Sequence, residues 1–122
     1  MSTSLILNAK VINEGKIQEL DIFIKDGRID RIDKNLSHLK SQHIIDAQGL
    51  YLMPGVIDDQ VHFREPGLTH KANIETESRA ALAGGTTSFM EMPNTVPNAL
   101  TQELLEDKYQ IAAKSSWTNY SF

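Results

Sequence analysis

Residues 55–94 dictate the architecture of this chain, because they change from the pattern of a strand to that of a helix and back again. Residues 55–63 alternate as in a strand, whose successive side chains point to opposite faces. One face would be mostly apolar and the other mainly polar, the latter carrying Val56, Asp58, Gln60, His62 and Arg64. A strand buried in a core does not need such a polar face. The pattern therefore predicts a strand whose inner face meets a ligand or a metal ion.

The segment after this strand predicts a parallel sheet. A turn at residues 65–67 leads to a helix over residues 73–83, with Asn73 as its N-cap, and then to a strand over residues 86–92. Strand–helix–strand connections bring the C-terminal ends of both strands to one edge of the sheet. Ligands bind at this edge in α/β barrels and in open α/β sheets. His62, Arg64 and Asn94 are therefore predicted to meet there.

A second helix is predicted over residues 101–114, followed by a third strand that starts near Trp117. The buried stripe of this second helix is predicted to hold Leu104, Leu105, Ile111 and Ala112. Two strands and the start of a third cannot close a barrel, and they leave an open edge and an uncovered face. We therefore expect the 122 residues to be the N-terminal part of a longer protein. Alone, they are expected to expose apolar surface and self-associate, because Phe89, Leu104 and Ile111 would lack half of their expected neighbours.

The first part of the chain has the pattern of a small all-β section. Strands are predicted over residues 4–12, 17–25, 28–34, 43–46 and 50–53. Asp26-Gly27 is a strong hairpin signal. Nothing before residue 53 is predicted to be catalytic. Pro54 marks the change to alternating strands and helices.

Composition narrows the class of protein. A hydrophobic content of 40% and a charged content of 23% are ordinary for a soluble globular protein. The net charge of −4 and the lack of a basic run give no reason to expect nucleic acid. The absence of cysteine excludes disulfides and thiolate metal sites. No signal-peptide pattern or membrane-length apolar run is present, so a cytoplasmic protein with no membrane partner is expected.

Two motifs resemble those of the dihydroorotases, in the cyclic amidohydrolase group. They are DDQVHFREPG at residues 58–67 and MPNT at residues 92–95. The resemblance implies an α/β fold, with an accessory β-sandwich segment over residues 1–53. Residues 54–122 would then begin a metal-dependent (β/α)8 barrel of the TIM type. It also implies the interconversion of dihydroorotate and N-carbamoyl-L-aspartate in pyrimidine synthesis, with one or two zinc ions.

The same resemblance implies roles for two parts of the site. His62 is the candidate metal ligand, since neutral imidazole binds zinc well, and the alternative is a buried, hydrogen-bonded histidine. Arg64 and Asn94 are similar in position to the residues that bind the substrate carboxylate in the family. The alternatives are a surface ion pair of Arg64 with Glu65 or Asp59, and a simple turn role for Asn94.

Two further positions leave alternatives open. Asp58 either orients His62 from behind or caps a backbone N–H. Gln60 stands where the Asp-x-His-x-His motif of the family has its first histidine. A glutamine oxygen is a poorer zinc ligand than imidazole, so it either coordinates weakly or hydrogen-bonds a metal-bound water. The number of metal ions, one or two, therefore stays open.

The remaining groups of the family's mechanism lie beyond residue 122, so no catalytic residue is expected in this segment. These groups are a carboxylated lysine, later histidines and an aspartate base. Two alternative functions remain open: another cyclic amidohydrolase acting on a hydantoin-like or allantoin-like ring, or a metal-free pseudoenzyme that serves as a structural partner. Candidate partners are a small-molecule substrate, a second copy of the chain and, by resemblance only, aspartate transcarbamoylase.

Overall fold

The computed structural model describes residues 2–122, which divide between Pro54 and Gly55 into two compact units. The first unit is built from strands and the second from alternating strands and helices. Each unit has its own buried cluster of apolar side chains. The arrangement matches the change of pattern at Pro54 in the sequence.

The described residues of the first unit form a single five-stranded sheet. Its strands are β1 (Thr3–Asn13), β2 (Lys16–Lys25), β3 (Arg28–Asp33), β4 (His43–Asp46) and β5 (Tyr51–Leu52). The long strand β1 pairs antiparallel with β2 and parallel with β4 and β5, and β3 pairs antiparallel with β2. Ala9, Val11 and Ile22 form the buried cluster.

Tight turns set the register of the two antiparallel pairs. Asp26 and Gly27 have φ angles of 49° and 76°, and Glu14 and Gly15 have φ angles of 48° and 72°. Two successive residues with positive φ fit the twist of a two-residue hairpin. The hairpin predicted at Asp26-Gly27 is therefore confirmed.

The second unit contains a three-stranded parallel sheet in the order β6-β7-β8. Its elements follow the chain as β6 (Val56–Val61), α1 (Ile74–Ala83), β7 (Thr86–Glu91), α2 (Gln102–Ser115) and β8 (Asn119–Ser121). This is the predicted alternation of strand and helix. The C-terminal ends of β6 and β7 lie side by side because these strands pair in parallel.

Side chains from the preceding loops fix the starts of both helices. Asn73 Oδ1 accepts a hydrogen bond from Thr76 N at 2.9 Å, as the predicted N-cap should. Thr101 Oγ1 accepts one from Leu104 N at 3.3 Å.

Neither helix in residues 2–122 has the length and apolar character that a membrane crossing requires.

The core of the second unit lies between the sheet and its helices. Phe63, Ile74, Phe89 and Ala112 are its buried members. The rings of Phe63 and Phe89 pack with centroids 4.5 Å apart. Phe89 is only 1% exposed, so the expectation that it lacks neighbours is wrong. The rings of Phe63, Tyr120 and Phe122 surround it.

The buried face of α2 differs from the predicted stripe in one respect. Ala112 is buried and Leu104, Leu105 and Ile111 are half-buried, but the most deeply buried side chain beside Ala112 belongs to Lys108. The helical period places Lys108 on this face, since it lies four residues from both Leu104 and Ala112. A lysine was not expected there, because an unpaired charge is rarely buried.

Candidate functional site

The loops that follow β6 and β7 form the candidate site, and backbone hydrogen bonds hold them together. Met92 N donates to Val61 O at 3.0 Å, and Val96 N donates to Pro66 O at 3.1 Å. These two bonds fix the loops at both ends of their contact. The loops that follow the neighbouring strands β6 and β7 therefore lie together at the edge of the sheet where the site was predicted.

His62 and Asn94 meet across these loops. His62 Nδ1 lies 3.0 Å from Asn94 Oδ1. An amide oxygen can only accept, so Nδ1 is the donor in this contact, and in the tautomer that makes it the lone pair lies on Nε2. Asn94 keeps both hydrogens of its amide nitrogen for another acceptor. The pair therefore offers one nitrogen ligand and one amide donor at the same edge.

Arg64 lies beyond the end of the strand, not within it. Strand β6 ends at Val61, two residues before the predicted end, and Arg64 has a φ angle of 72°. The left-handed backbone interrupts the alternation that would have placed Arg64 on the face of Gln60 and His62. Its backbone N donates to Glu91 Oε1 at 3.0 Å. This bond, made by a side chain from β7, fixes where the turn begins.

The Arg64 guanidinium forms no ion pair with Asp59 or Glu65 in the described part of the chain. Glu65 is engaged elsewhere, since its Oε2 accepts a hydrogen bond from Ile74 N at 2.9 Å at the start of α1. An anion at a helix N-terminus is favoured by the exposed N–H groups and the helix dipole. The surface ion-pair alternative is therefore not observed, and a carboxylate-binding role for Arg64 stays a prediction.

Asp58 and Gln60 are exposed along β6. Asp58 Oδ1 accepts a hydrogen bond from Gln60 N at 3.2 Å. This contact corresponds to the alternative in which Asp58 caps a backbone N–H. The roles predicted for Asp58 behind His62, and for Gln60 as a weak metal ligand, stay predictions.

The donor set of the described residues is incomplete for a zinc ion. Within residues 2–122, no three His, Asp or Glu side chains gather into a group that could hold a metal. A zinc site in a protein takes three or four protein ligands, and His62 supplies a single imidazole here. These residues do not by themselves form a metal centre. The hydrogen bond of His62 Nδ1 to Asn94 leaves His62 Nε2 available as a ligand nitrogen at this edge.

A buried ion pair under the site is the feature that sequence reasoning missed. Lys108 Nζ lies 2.9 Å from Glu91 Oε2, and both side chains are 1% exposed. Lys108 Nζ also donates to Met92 O at 3.1 Å. Burial raises the pKa of the Glu91 carboxyl above its ordinary value, while Lys108 and the backbone amides of Arg64 and Phe63 oppose that rise. The helical spacing of Lys108 with Leu104 and Ala112 was the signal available in the sequence.

A family model described as dihydroorotase-like matches residues 49–120. A dihydroorotase of Lactococcus lactis is 41% identical over 92% of this chain and 27% of its own length. An allantoinase of Bacillus velezensis is 36% identical over 96% of this chain and 26% of its own length. The chain thus spans about a quarter of the length of the curated relatives it matches.

The fold is similar to that of solved cyclic-amide hydrolases. An L-hydantoinase (dihydropyrimidinase) from Arthrobacter aurescens superposes with a TM-score of 0.94 at 30% identity, covering 98% of this chain and 27% of the other. The predicted fold class is confirmed: a small β-domain precedes the parallel β/α units that begin a TIM-type barrel. The motif resemblance found at residues 58–67 and 92–95 is likewise confirmed by the family match. The chain belongs to the dihydroorotase-like family.

Proposed function

We propose that this chain supplies part of the substrate site of a cyclic amidohydrolase whose substrate is dihydroorotate. The His62–Asn94 hydrogen bond carries the proposal. It occupies the amide oxygen of Asn94 and leaves the amide hydrogens to donate. A carboxylate that reaches the loop edge would accept from them.

Arg64 adds the charge that a carboxylate ligand requires. A planar guanidinium binds a carboxylate with two parallel hydrogen bonds, and Arg64 follows directly on the loop that carries His62. Dihydroorotate bears such a carboxylate beside its ring, whereas a simple hydantoin ring bears none. Arg64 together with Met92-Pro93-Asn94-Thr95 is therefore the feature that favours dihydroorotate over related rings.

Zinc, as one or two ions, belongs to the same proposal. His62 Nε2 is the proposed ligand atom and Gln60 the weaker candidate, and the remaining ligands would come from outside the described residues. A bound metal would lower the pKa of a water molecule and supply hydroxide for amide hydrolysis. We also propose two protein partners, a second copy of the chain and aspartate transcarbamoylase. The proposed location is the cytoplasm.

Arg64→Ala in the full-length gene product tests the substrate assignment. We expect kcat/KM for dihydroorotate to fall by about 100-fold or more, because a charge-assisted bidentate contact is lost, while metal content stays unchanged. Lys71→Ala is the matched control, since it removes a positive charge from the same connection at an exposed position. It should leave kcat/KM within about twofold, since surface changes have small effects.

The wild-type protein distinguishes the alternatives when it is assayed on three rings with zinc analysis of the same sample. Faster turnover of hydantoin or allantoin than of dihydroorotate would reject dihydroorotate as the substrate. It would favour the sibling function suggested by the similarity to an L-hydantoinase. A metal-free protein inert on all three rings would reject the enzyme and favour a pseudoenzyme.

A further inference from the structure

The buried pair of Glu91 and Lys108 lies behind the candidate site and outside it. Phe89 and Glu91 are buried while Met90 between them is 44% exposed, so Glu91 points to the helix-covered face of β7. Lys108 reaches it from α2, and its Nζ lies 4.7 Å from the centre of the Phe122 ring. Neither side chain is accessible to a substrate. Any role in binding must therefore act through other residues.

Each carboxylate oxygen of Glu91 has a different partner. Oε2 pairs with Lys108 Nζ at 2.9 Å, and Oε1 accepts from Arg64 N at 3.0 Å. Arg64 has a φ angle of 72°, a left-handed conformation that is unfavourable for a non-glycine residue. The hydrogen bond that Arg64 N donates to this buried carboxylate offsets the unfavourable conformation. Glu91 thus stabilises an otherwise unfavourable turn two residues after His62.

A buried ion pair is poor evidence for a purely stabilising role. Apolar side chains of similar volume often replace such a pair without loss of stability, since desolvation consumes much of the electrostatic gain. Apolar residues at positions 91 and 108 would pack against Phe89 and Phe122. They could not accept the Arg64 N–H. The hydrogen bond to the turn is the contribution that requires a polar side chain here.

We propose that Glu91, held in place by Lys108, is a positioning residue that fixes the left-handed turn at Arg64. By fixing this turn, it directs His62 and Arg64 toward the edge formed by the loops after β6 and β7. The inference deepens the proposed function and rests on it for the identity of the ligand. The Glu91 side chain selects the direction in which the chain leaves β6. Lys108 fixes Glu91 and, through Met92 O, the start of the loop that carries Asn94.

Two double variants separate positioning from stability. Glu91→Gln with Lys108→Met keeps an oxygen acceptor for Arg64 N, whereas Glu91→Leu with Lys108→Met removes it. Both variants lack the two charges and the lysine donor to Met92 O, so these losses cancel in the comparison. Both are expected to unfold at similar denaturant concentrations.

The first measurement is amide hydrogen exchange of residues 62–65 in the full-length gene product. Loss of the hydrogen bond to Arg64 N should speed exchange by about tenfold in the leucine variant and leave the glutamine variant near wild type. The second is kcat/KM for dihydroorotate, expected to fall by about tenfold or more in the leucine variant and by less than about threefold in the glutamine variant. Rescue by glutamine supports positioning, because stability is matched.

Equal exchange in the two double variants would overturn the proposal. Equal kcat/KM in the presence of different exchange would overturn it as well, since the turn would then not govern the site. If the wild-type protein turned over no cyclic amide, the proposed function would fail instead. The exchange comparison would then decide alone whether Glu91 fixes the turn.

Discussion

The ring of His62 is held by Asn94, and the contacting atom of Asn94 is an amide oxygen, which can only accept a hydrogen bond. Asn94 Oδ1 accepts from Nδ1 at 3.0 Å, so the tautomer with its lone pair on Nε2 is favoured. Both side chains are exposed, and water competes for this contact. The preference should be modest in size and directly measurable.

Asn94→Ala should relax the His62 tautomer. Removal of an exposed hydrogen bond corresponds to about 1 kcal/mol, so the Nδ1-protonated fraction of neutral His62 should fall severalfold. The ¹⁵N chemical shifts of the two ring nitrogens report this fraction directly. Asn98→Ala, an exposed asparagine of the same loop, is the control and should change neither shift. Identical ring shifts in the Asn94→Ala and wild-type proteins would contradict the structure.

At the scale of single residues, the sequence predicted the meeting of His62 and Asn94 but not the buried pair of Glu91 and Lys108 behind them. His62 and Asn94 could be placed together because they follow neighbouring parallel strands, and this is where they lie. Glu91 and Lys108 could not be paired, since charged residues belong on the surface by default. The helical period could place Lys108 on the buried face of α2, but its pairing with Glu91 depends on a contact between a strand end and a helix, which no local pattern encodes.

Among the elements, the connections after β6 and β7 are packed more tightly than typical surface loops. A Cβ added at Gly67 would overlap the carbonyl oxygen and side chain of Val96. Gly67 also has a φ angle of 84°, which disfavours other residues. Two separate requirements therefore converge on glycine at this position.

Gly67→Ala should destabilise the second unit by more than the backbone strain alone. The left-handed conformation accounts for about 1 kcal/mol, and the overlap with Val96 adds about 1–3 kcal/mol, since a backbone oxygen must move. Gly85→Ala is the matched control, because Gly85 has a φ angle of 91° and nothing lies within 4 Å of its added Cβ. Urea unfolding of both variants measures the difference. Equal losses in the two variants would exclude the close loop contact.

Element types were predictable here, and element ends were less so. The start of α1 followed from the capping chemistry of Asn73, which is local to the sequence, and the predicted range 101–114 lies within one residue of α2 at each end. The end of β6 could not be predicted in this way, because the Glu91 side chain from β7 accepts a hydrogen bond from Arg64 N, where the chain turns. A long-range contact therefore shortened the strand by two residues relative to the alternating pattern.

Across the whole molecule, exposed apolar side chains are numerous. In the first unit, Ile29 and Ile32 are 64% and 46% exposed and border an apolar groove that also includes Ile6, Ile22, Ile24 and Leu52. Contiguous apolar surface of this kind favours association. The expectation of self-association therefore rests on these side chains and no longer on Phe89.

The isolated 122-residue chain should self-associate with rising concentration, and Ile29→Lys should weaken this association. Burial of one isoleucine is worth about 1.5–3 kcal/mol, so the dissociation constant should rise by about tenfold or more. Sedimentation equilibrium measures it. Gln18→Lys adds the same charge at an exposed polar position of the same sheet and is the control. A wild-type chain that stays monomeric at millimolar concentration would refute the expectation.

The complete burial of Lys108 also makes this residue an internal reporter of motion. Reagents that acylate amines reach a lysine only when its Nζ is in contact with water, and the side chain of Lys108 has no such contact in the folded chain. Exposed amines such as those of Lys71 and Lys114 would be labelled at once. The labelling rate of Lys108 would instead follow the transient separation of α2 from the end of β7. The labelling rate of this one buried amine thus measures how often the contact between α2 and the end of β7, next to His62 and Arg64, opens.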